Sequence, residues 1–259
     1  MKALFIKCYG KLTPDMLIGG LIDMGVPPVY LKSKLEEAGL PVNFIEKPNP
    51  KARVSAHYFH IPPSGEKPLL LKQGDIFRIW KEICAKTEPE WESIGWKVFS
   101  CLCGGASDAI DEIPSDIVDL RRINVAEENL TSLYLFLCCL DYLEIESLFT
   151  VPFSITEGRT EAGRANNAIL TDAVSTSGTP VDVEEIHPFA AAMLQGLSAA
   201  FLPMDSRFLA DKTAYGSSSA EKPTGDNTVT EYLGYFNDRG ESIFSRHLKV
   251  FGVDSGLEI

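Results

Sequence analysis

The residues with the most chemical potential lie in one turn near the start of the chain. It reads Cys8-Tyr9-Gly10-Lys11-Leu12-Thr13-Pro14-Asp15-Met16 and joins an apolar run, Ala3-Leu4-Phe5-Ile6, to a helical pattern. Strand-to-helix turns of this kind bind anions, because unpaired N–H groups at a helix start face the ligand and the dipole favours negative charge. Cys8, Gly10, Lys11 and Thr13 are therefore candidate contacts for a cofactor or phosphate. Asp15 has two readings. It can contact a bound metal–ligand complex or polarise a water, or it can serve as a first-turn carboxylate matched to the helix dipole. His57 and His60 invite a metal reading, but residues three apart on a strand point to opposite faces, so structural or solvated roles are expected. Cys101/Cys103 and Cys138/Cys139 lie in apolar helical stretches without a Cys-x-x-Cys pair, and buried inert thiols are expected. The acidic residues Asp108, Asp111, Glu112, Asp116 and Asp119 lack calcium-loop spacing and read as a solvated segment.

These side chains must be positioned by the elements around them. Thr13 suits an N-cap, Pro14 the first helical position and Asp15 the first turn. Met16, Leu17, Leu21 and Met24 form a helical stripe that stops at Gly25. A second helix is expected over Val29 to Ala38, ending at Gly39. Strands are expected at Val42–Glu46 and Arg53–Ile61, and a loop at Pro62–Gly65. The middle reads as helices at Asp75–Lys86, at Pro89–Ile110 with an interruption at Gly104-Gly105, and at Glu128–Leu143. Leu148–Phe153 reads as a buried strand. Thr156 to Thr179 is rich in Gly, Ser, Thr and Asn and reads as a flexible loop. His187 to Phe201 reads as a helix, Tyr215 to Asn227 as a loop, and Thr228–Phe236 as a terminal strand. The fold class is α/β, with α+β as the variant: a strand-helix opening, a helical middle and a second α/β portion. The expected regions are 1–150 and 151–259, packed as one unit.

The totals agree with a globular protein. The chain has 259 residues, 45 % of them hydrophobic and 23 % charged, enough for a sizeable core. A net charge of −12 argues against nucleic acid and anionic membrane surfaces as partners. The N-terminus is too short and charged for a signal core, and the longest apolar run, near Leu133–Leu140, is far below a membrane span. Reduced thiols in the cytoplasm are the expected state.

The opening turn and the Gly19-Gly20-Leu21-Ile22-Asp23-Met24-Gly25 that follows resemble the LarC family. Its pattern is Cys-Phe-Ser-Gly-Ile-Ser-Gly-Asp-Met, then Gly-Ala-Leu-Ile-Asp-Leu-Gly. Cys8, Asp15, Met16, Gly19, Leu21, Asp23 and Gly25 match without a gap. Asp75-Ile76, Leu140–Ile145, Val151-Pro152-Phe153, Gly158, Pro188 with Ala191-Ala192, Tyr215-Gly216 and Asn227 resemble later family motifs in order. The departures are polar. Lys11 and Pro14 replace glycines, which removes backbone freedom. The family's histidine run falls on Pro68–Leu71, its His-Phe-His-Glu-Val-Gly on Leu120–Val125, and its His-Gly near Arg164-Ala165. Only Glu128 keeps a carboxylate in the next motif.

The resemblance implies nickel insertion into a pyridinium pincer mononucleotide, a lyase-type activity. By that resemblance Asp15 and Glu128 are the catalytic candidates, and Cys8, Gly10, Lys11, Thr13, His187 and Tyr215 hold the ligand. Nickel is the implied metal and a nucleotide-like molecule the implied ligand. The family's C-terminal domain, which in the resemblance holds nickel and CTP, would come from a separate chain. The alternative is a binding module for a nucleotide-like ligand or a partner protein, with the chemistry lost.

Overall fold

A computed structural model describes residues 1–49, 56–63, 71–110, 118–205, 207–217 and 228–236. The chain opens with β1 (Lys2–Cys8) and α1 (Pro14–Asp23), then α2 (Pro28–Ala38), β2 (Ile45–Asn49) and β3 (Ala56–His60). A helical stretch follows: α3 (Gln73–Lys86), α4 (Glu92–Ile110) and α5 (Glu128–Tyr142). Then come β4 (Ser147–Thr150), β5 (Phe153–Ile155), α6 (Glu161–Ile169), β6 (Thr179–Val181), α7 (Pro188–Leu197), β7 (Ser198–Phe201), β8 (Phe208–Ser217) and β9 (Thr228–Phe236).

Seven strands form one mixed sheet in the order β2-β3-β8-β9-β1-β4-β7, and β5 and β6 pair separately. β1, β4 and β7 run parallel, while β9 lies antiparallel to β1 and to β8. The α/β expectation holds. Alternation along β1 assigns the two faces. Leu4, Ile6 and Cys8 join the main core under the helices, whereas Ala3 and Phe5 join a smaller aromatic cluster with Phe149, Phe208 and Phe236 on the other face.

The opening expectations hold in detail. Thr13 caps α1 through a hydrogen bond from Met16 N–H to Oγ1 at 3.3 Å. Gly39 closes α2 in the left-handed conformation, φ 68°. Several others need correction. The strand expected at Val42–Glu46 begins at Ile45. The strand expected at Leu148–Phe153 is two strands divided at Val151-Pro152, as suits a residue without an N–H. α4 runs unbroken through Gly104-Gly105. A Cβ on Gly105 would lie 2.4 Å from Ile169 Cγ1 and 2.9 Å from the Ala165 carbonyl, so this glycine lets α6 approach closely and does not end a helix.

The polar segment expected to be a loop contains α6. Thr160 caps it by accepting from Gly163 N–H, and Ala162, Ala165 and Ile169 give it an apolar side. The helix expected to reach Phe201 ends at Leu197, where the chain passes directly into β7. Tyr215 sits in β8, not in a loop. Arg53–Ser55, Pro68–Leu70, Asp111, Glu112, Asp116 and Asn227 lie outside the described residues.

The candidate active-site cleft at the start of the first helix

Pro14 occupies the first helical position, so Asp15 falls in the first turn of α1, beside the C-terminal end of β1. Its side chain is 20 % exposed and engaged on three sides. Asp15 Oδ2 lies 2.9 Å from His60 Nδ1 and accepts the Ile61 N–H at 3.4 Å. The Ser132 hydroxyl on α5 is 3.4 Å from Asp15 Oδ1 and 3.2 Å from the Glu128 carbonyl, so its one proton is shared between them. Beside this group, Ile61, Glu128, Thr131, Asn43, Leu40 and Ile83 line a cleft of about 160 Å³.

The electrostatics follow from the geometry. The Asp15 hydrogen bond is the largest cause holding His60 above the ordinary histidine range; burial opposes it, and the charges of Asp15 and Glu128 assist. Tyr58 is raised chiefly by burial and also by the Asp15 charge. The His60–Asp15 pair therefore stands beside the cleft with its protonated imidazole favoured, and Glu128, which lines the cleft, lies in electrostatic reach of His60. Such a pair can grip an anion or move a proton.

The sequence alone predicts a structural or solvated role for His60. In the fold it is the partner of Asp15, whereas His57 turns to Glu46 at 2.8 Å. The alternation that argues against a shared metal ion also frees one histidine for the cleft. The pairing spans 45 residues, and no local pattern announces it.

Of the sequence candidates, Asp15 and Glu128 come together. The turn and His187 lie close by. Leu12 N–H donates to Glu185 O at 3.1 Å and His187 N–H to Leu12 O at 2.8 Å, which fixes the turn against the start of α7. Gly10 adopts φ 152°, a backbone region that favours glycine. The turn is nevertheless not an open cradle of donors: the N–H groups of Leu12 and Met16 are used within the protein, and Pro14 has none. Thr13 spends its hydroxyl on the cap.

Three candidates take other roles. The Cys8 thiol is buried, donates to Gly10 O at 3.3 Å, and is pushed by burial up to about 12, so it braces the turn from beneath. His187 accepts from Phe189 N–H at Nδ1 and faces Asn124 O through Nε2 at 3.1 Å. With Nδ1 accepting, Nε2 carries the proton, and burial holds the ring below the ordinary histidine range. His187 is thus a neutral helix cap, though within electrostatic reach of Asp15 and Lys11. Tyr215 does not reach the cleft. It pairs with Thr230, which pairs with Lys7, a row on the face of the sheet opposite α1.

The thiols are buried as expected except Cys101, which is partly exposed. All six cysteines are free, and burial raises Cys84, Cys103 and Cys138 to about 12. Among the described residues, no group of three or more His, Cys, Asp or Glu is arranged to hold a metal ion. Nor is any described helix long and apolar enough to cross a membrane.

The sequence model of the nickel insertion proteins matches residues 4–248. The chain belongs to that family. A Synechococcus protein provisionally named as a nickel insertion protein is 24 % identical over 242 residues, covering 86 % of this chain and 58 % of the relative. A similarly named Geotalea daltonii protein is 24 % identical, covering 90 % and 61 %. A Thermotoga relative, named pyridinium-3,5-bisthiocarboxylic acid mononucleotide nickel insertion protein, is 23 % identical over 91 % of this chain and 62 % of its own length. This nickel insertion family member therefore spans about three fifths of the curated relatives it matches. No solved structure matches it.

Proposed function

We propose that this chain is the substrate-binding part of a nickel insertion system, with the pyridinium pincer mononucleotide as ligand and nickel as the substrate metal. The single observation that carries the reading is the Asp15–His60 pair at 2.9 Å beside a cleft, in a chain of this family. His60, whose protonated form Asp15 favours, holds an anionic group of the ligand. Asp15 or Glu128 takes up the proton that metal–carbon bond formation releases from the ring. Ser132 fixes the Asp15 carboxylate. Lys11, on the turn, adds positive charge near the same mouth, and Gly10 and Thr13 set the course of that turn. A separate chain carrying the family's C-terminal part brings nickel. The free thiols, all but Cys101 buried, suit a cytoplasmic setting.

The replacement of the family's His-Phe-His-Glu-Val-Gly by Leu120–Val125 favours a second reading, a binding module without chemistry. Calorimetry of the purified chain separates the two. The first reading predicts that the pincer precursor binds the chain alone, and that adding nickel and the C-terminal part of a family member yields the nickel-bearing product. Binding without product under those conditions would leave the second reading standing. Absence of precursor binding to the chain would end the first.

A further inference from the structure

Asp15 sits on a helix and His60 ends a strand, yet their side chains meet at 2.9 Å. The contact that sets this reach lies one turn further along α1. Asp15 and Gly19 stand four residues apart in the helix and share one of its faces. Gly19 lies against the backbone of β3. A Cβ there would lie 2.7 Å from the His57 carbonyl oxygen and 3.6 Å from Gly216 Cα. Gly216, on β8, is the ladder partner of His57, and a Cβ on it would lie 1.8 Å from the Met16 carbonyl oxygen. At this place α1, β8 and β3 meet backbone to backbone, with no side chain between them.

The strand is also tied from the other side. The Ser217 hydroxyl donates to the His57 carbonyl at 3.4 Å, and Asn49 Nδ2 donates to Ser217 Oγ at 3.0 Å, which links β2 and β3 to β8. A methyl at position 19 acts on backbone and not on the tip of a flexible side chain. Ordinary contact starts at 3.4 Å, so a Cβ at 2.7 Å drives helix and strand apart by about 0.7 Å. A hydrogen bond of 2.9 Å lengthened that much is lost. The neighbouring Gly20 faces a different strand. A Cβ there would lie 2.6 Å from the Glu231 carboxylate on β9.

We infer that Gly19 and Gly216 are positioning residues: by letting α1, β8 and β3 close backbone to backbone, they set the reach of His60 to Asp15. The inference rests on the proposed function for what the pair does, while how the pair is held stands on these contacts alone.

The readout is the His60 ring, titrated by NMR in the full chain without ligand. Asp15 acts on it from α1 and Glu128 from α5, and the Tyr58 ring lies 6.3 Å away on its own strand. Gly19→Ala should bring the His60 pKa down to the ordinary histidine range, because the Asp15 hydrogen bond is the largest cause of its rise. Gly20→Ala, the same substitution one residue on, should leave His60 raised whatever it costs in stability. Should Gly19→Ala not fold, Ser217→Ala decides: it removes the hydroxyl that holds the His57 carbonyl, adds no atom, and should lower the His60 pKa part of the way. An unchanged His60 in Gly19→Ala, or equal falls in Gly19→Ala and Gly20→Ala, would overturn the inference, as would an unchanged His60 in Ser217→Ala where that variant decides. Gly19→Ala should also weaken the pincer precursor about tenfold, the scale of one charge-assisted interaction. A His60 pKa that falls while precursor affinity holds would count against the proposed function and leave the positioning role standing.

Discussion

At the scale of single residues, the Asp15–His60 pair carries the chemistry. Asp15 raises the His60 pKa, so the sign of its pH dependence is fixed. The stability and anion grip that the pair contributes are present below the ordinary histidine pKa and are lost as pH rises through the raised one. Titration of the His60 ring followed by NMR should give a pKa above that of an ordinary histidine, and Asp15→Asn should bring it back. An unshifted His60 in the parent protein would remove the pair from the account. The half of this pair on α1 is legible in the sequence, because Thr13-Pro14-Asp15 is a local capping pattern. The other half is not, because it depends on where β3 ends relative to α1.

Glu231 is a second residue with a consequence. It is fully buried in β9 against α1, and among the described residues neither carboxylate oxygen has a hydrogen-bond partner. A Cβ on Gly20 would lie 2.6 Å from that carboxylate, so Gly20, which stands where the LarC pattern has alanine, makes room for it. Burial, then the Asp23 charge, raises its pKa far above the ordinary range. Folding therefore costs more as pH rises above the ordinary glutamate range, until the raised pKa is passed. Glu231→Gln should raise the melting temperature at neutral and alkaline pH and flatten its pH dependence. A profile unchanged by the substitution would show that Glu231 does not titrate this way. The alternation Val229-Glu231-Leu233 carries the sign of a buried row, but one carboxylate in a strand looks like a solvent-facing position until both faces are known.

At the scale of elements, two adjacent glycines in α4 separate packing from propensity. A Cβ added at Gly104 would meet nothing within 4 Å, whereas one at Gly105 would meet α6. Gly104→Ala should stabilise by roughly 0.5–1 kcal/mol through helix propensity. Gly105→Ala should destabilise by up to about 2 kcal/mol, because overpacking costs typically 1–3 and propensity returns about 1. Equal melting shifts for the two would contradict the close approach of α4 and α6. In the sequence the two glycines look like one interruption, since local pattern cannot tell a break from a contact. α6 is hidden for a related reason: a short helix with a polar outer side, including Arg164 and Asn167, differs from a loop mainly in its cap and its narrow apolar side. The helix-to-strand passage at Leu197-Ser198 is invisible because Ala and Leu suit both a buried helix and the start of a buried strand.

At the scale of the molecule, strands from both expected regions interleave. β8 and β9, from the second region, stand between β3 and β1 of the first. We infer that the regions 1–150 and 151–259 fold as one unit, since removing the second strips β1 and β3 of their neighbours β9 and β8. The fragment 1–150 should lack a cooperative thermal transition, while the full chain shows one; two separate transitions in the full chain would oppose this. Composition and the order of motifs make the fold class and the family legible. The depletion of histidines makes the site hard to read, because the remaining ones act through pairings that only the sheet brings about.

The central claim is that the Asp15–His60 pair binds an anionic, nucleotide-like molecule. The most direct test is the affinity of the full chain for the pyridinium pincer precursor, measured side by side with that of the Asp15→Asn chain near pH 6. A loss of about tenfold in the variant is predicted, the scale of one charge-assisted interaction. Equal affinity of the two chains would contradict the claim and return Asp15 to the role of a first-turn carboxylate.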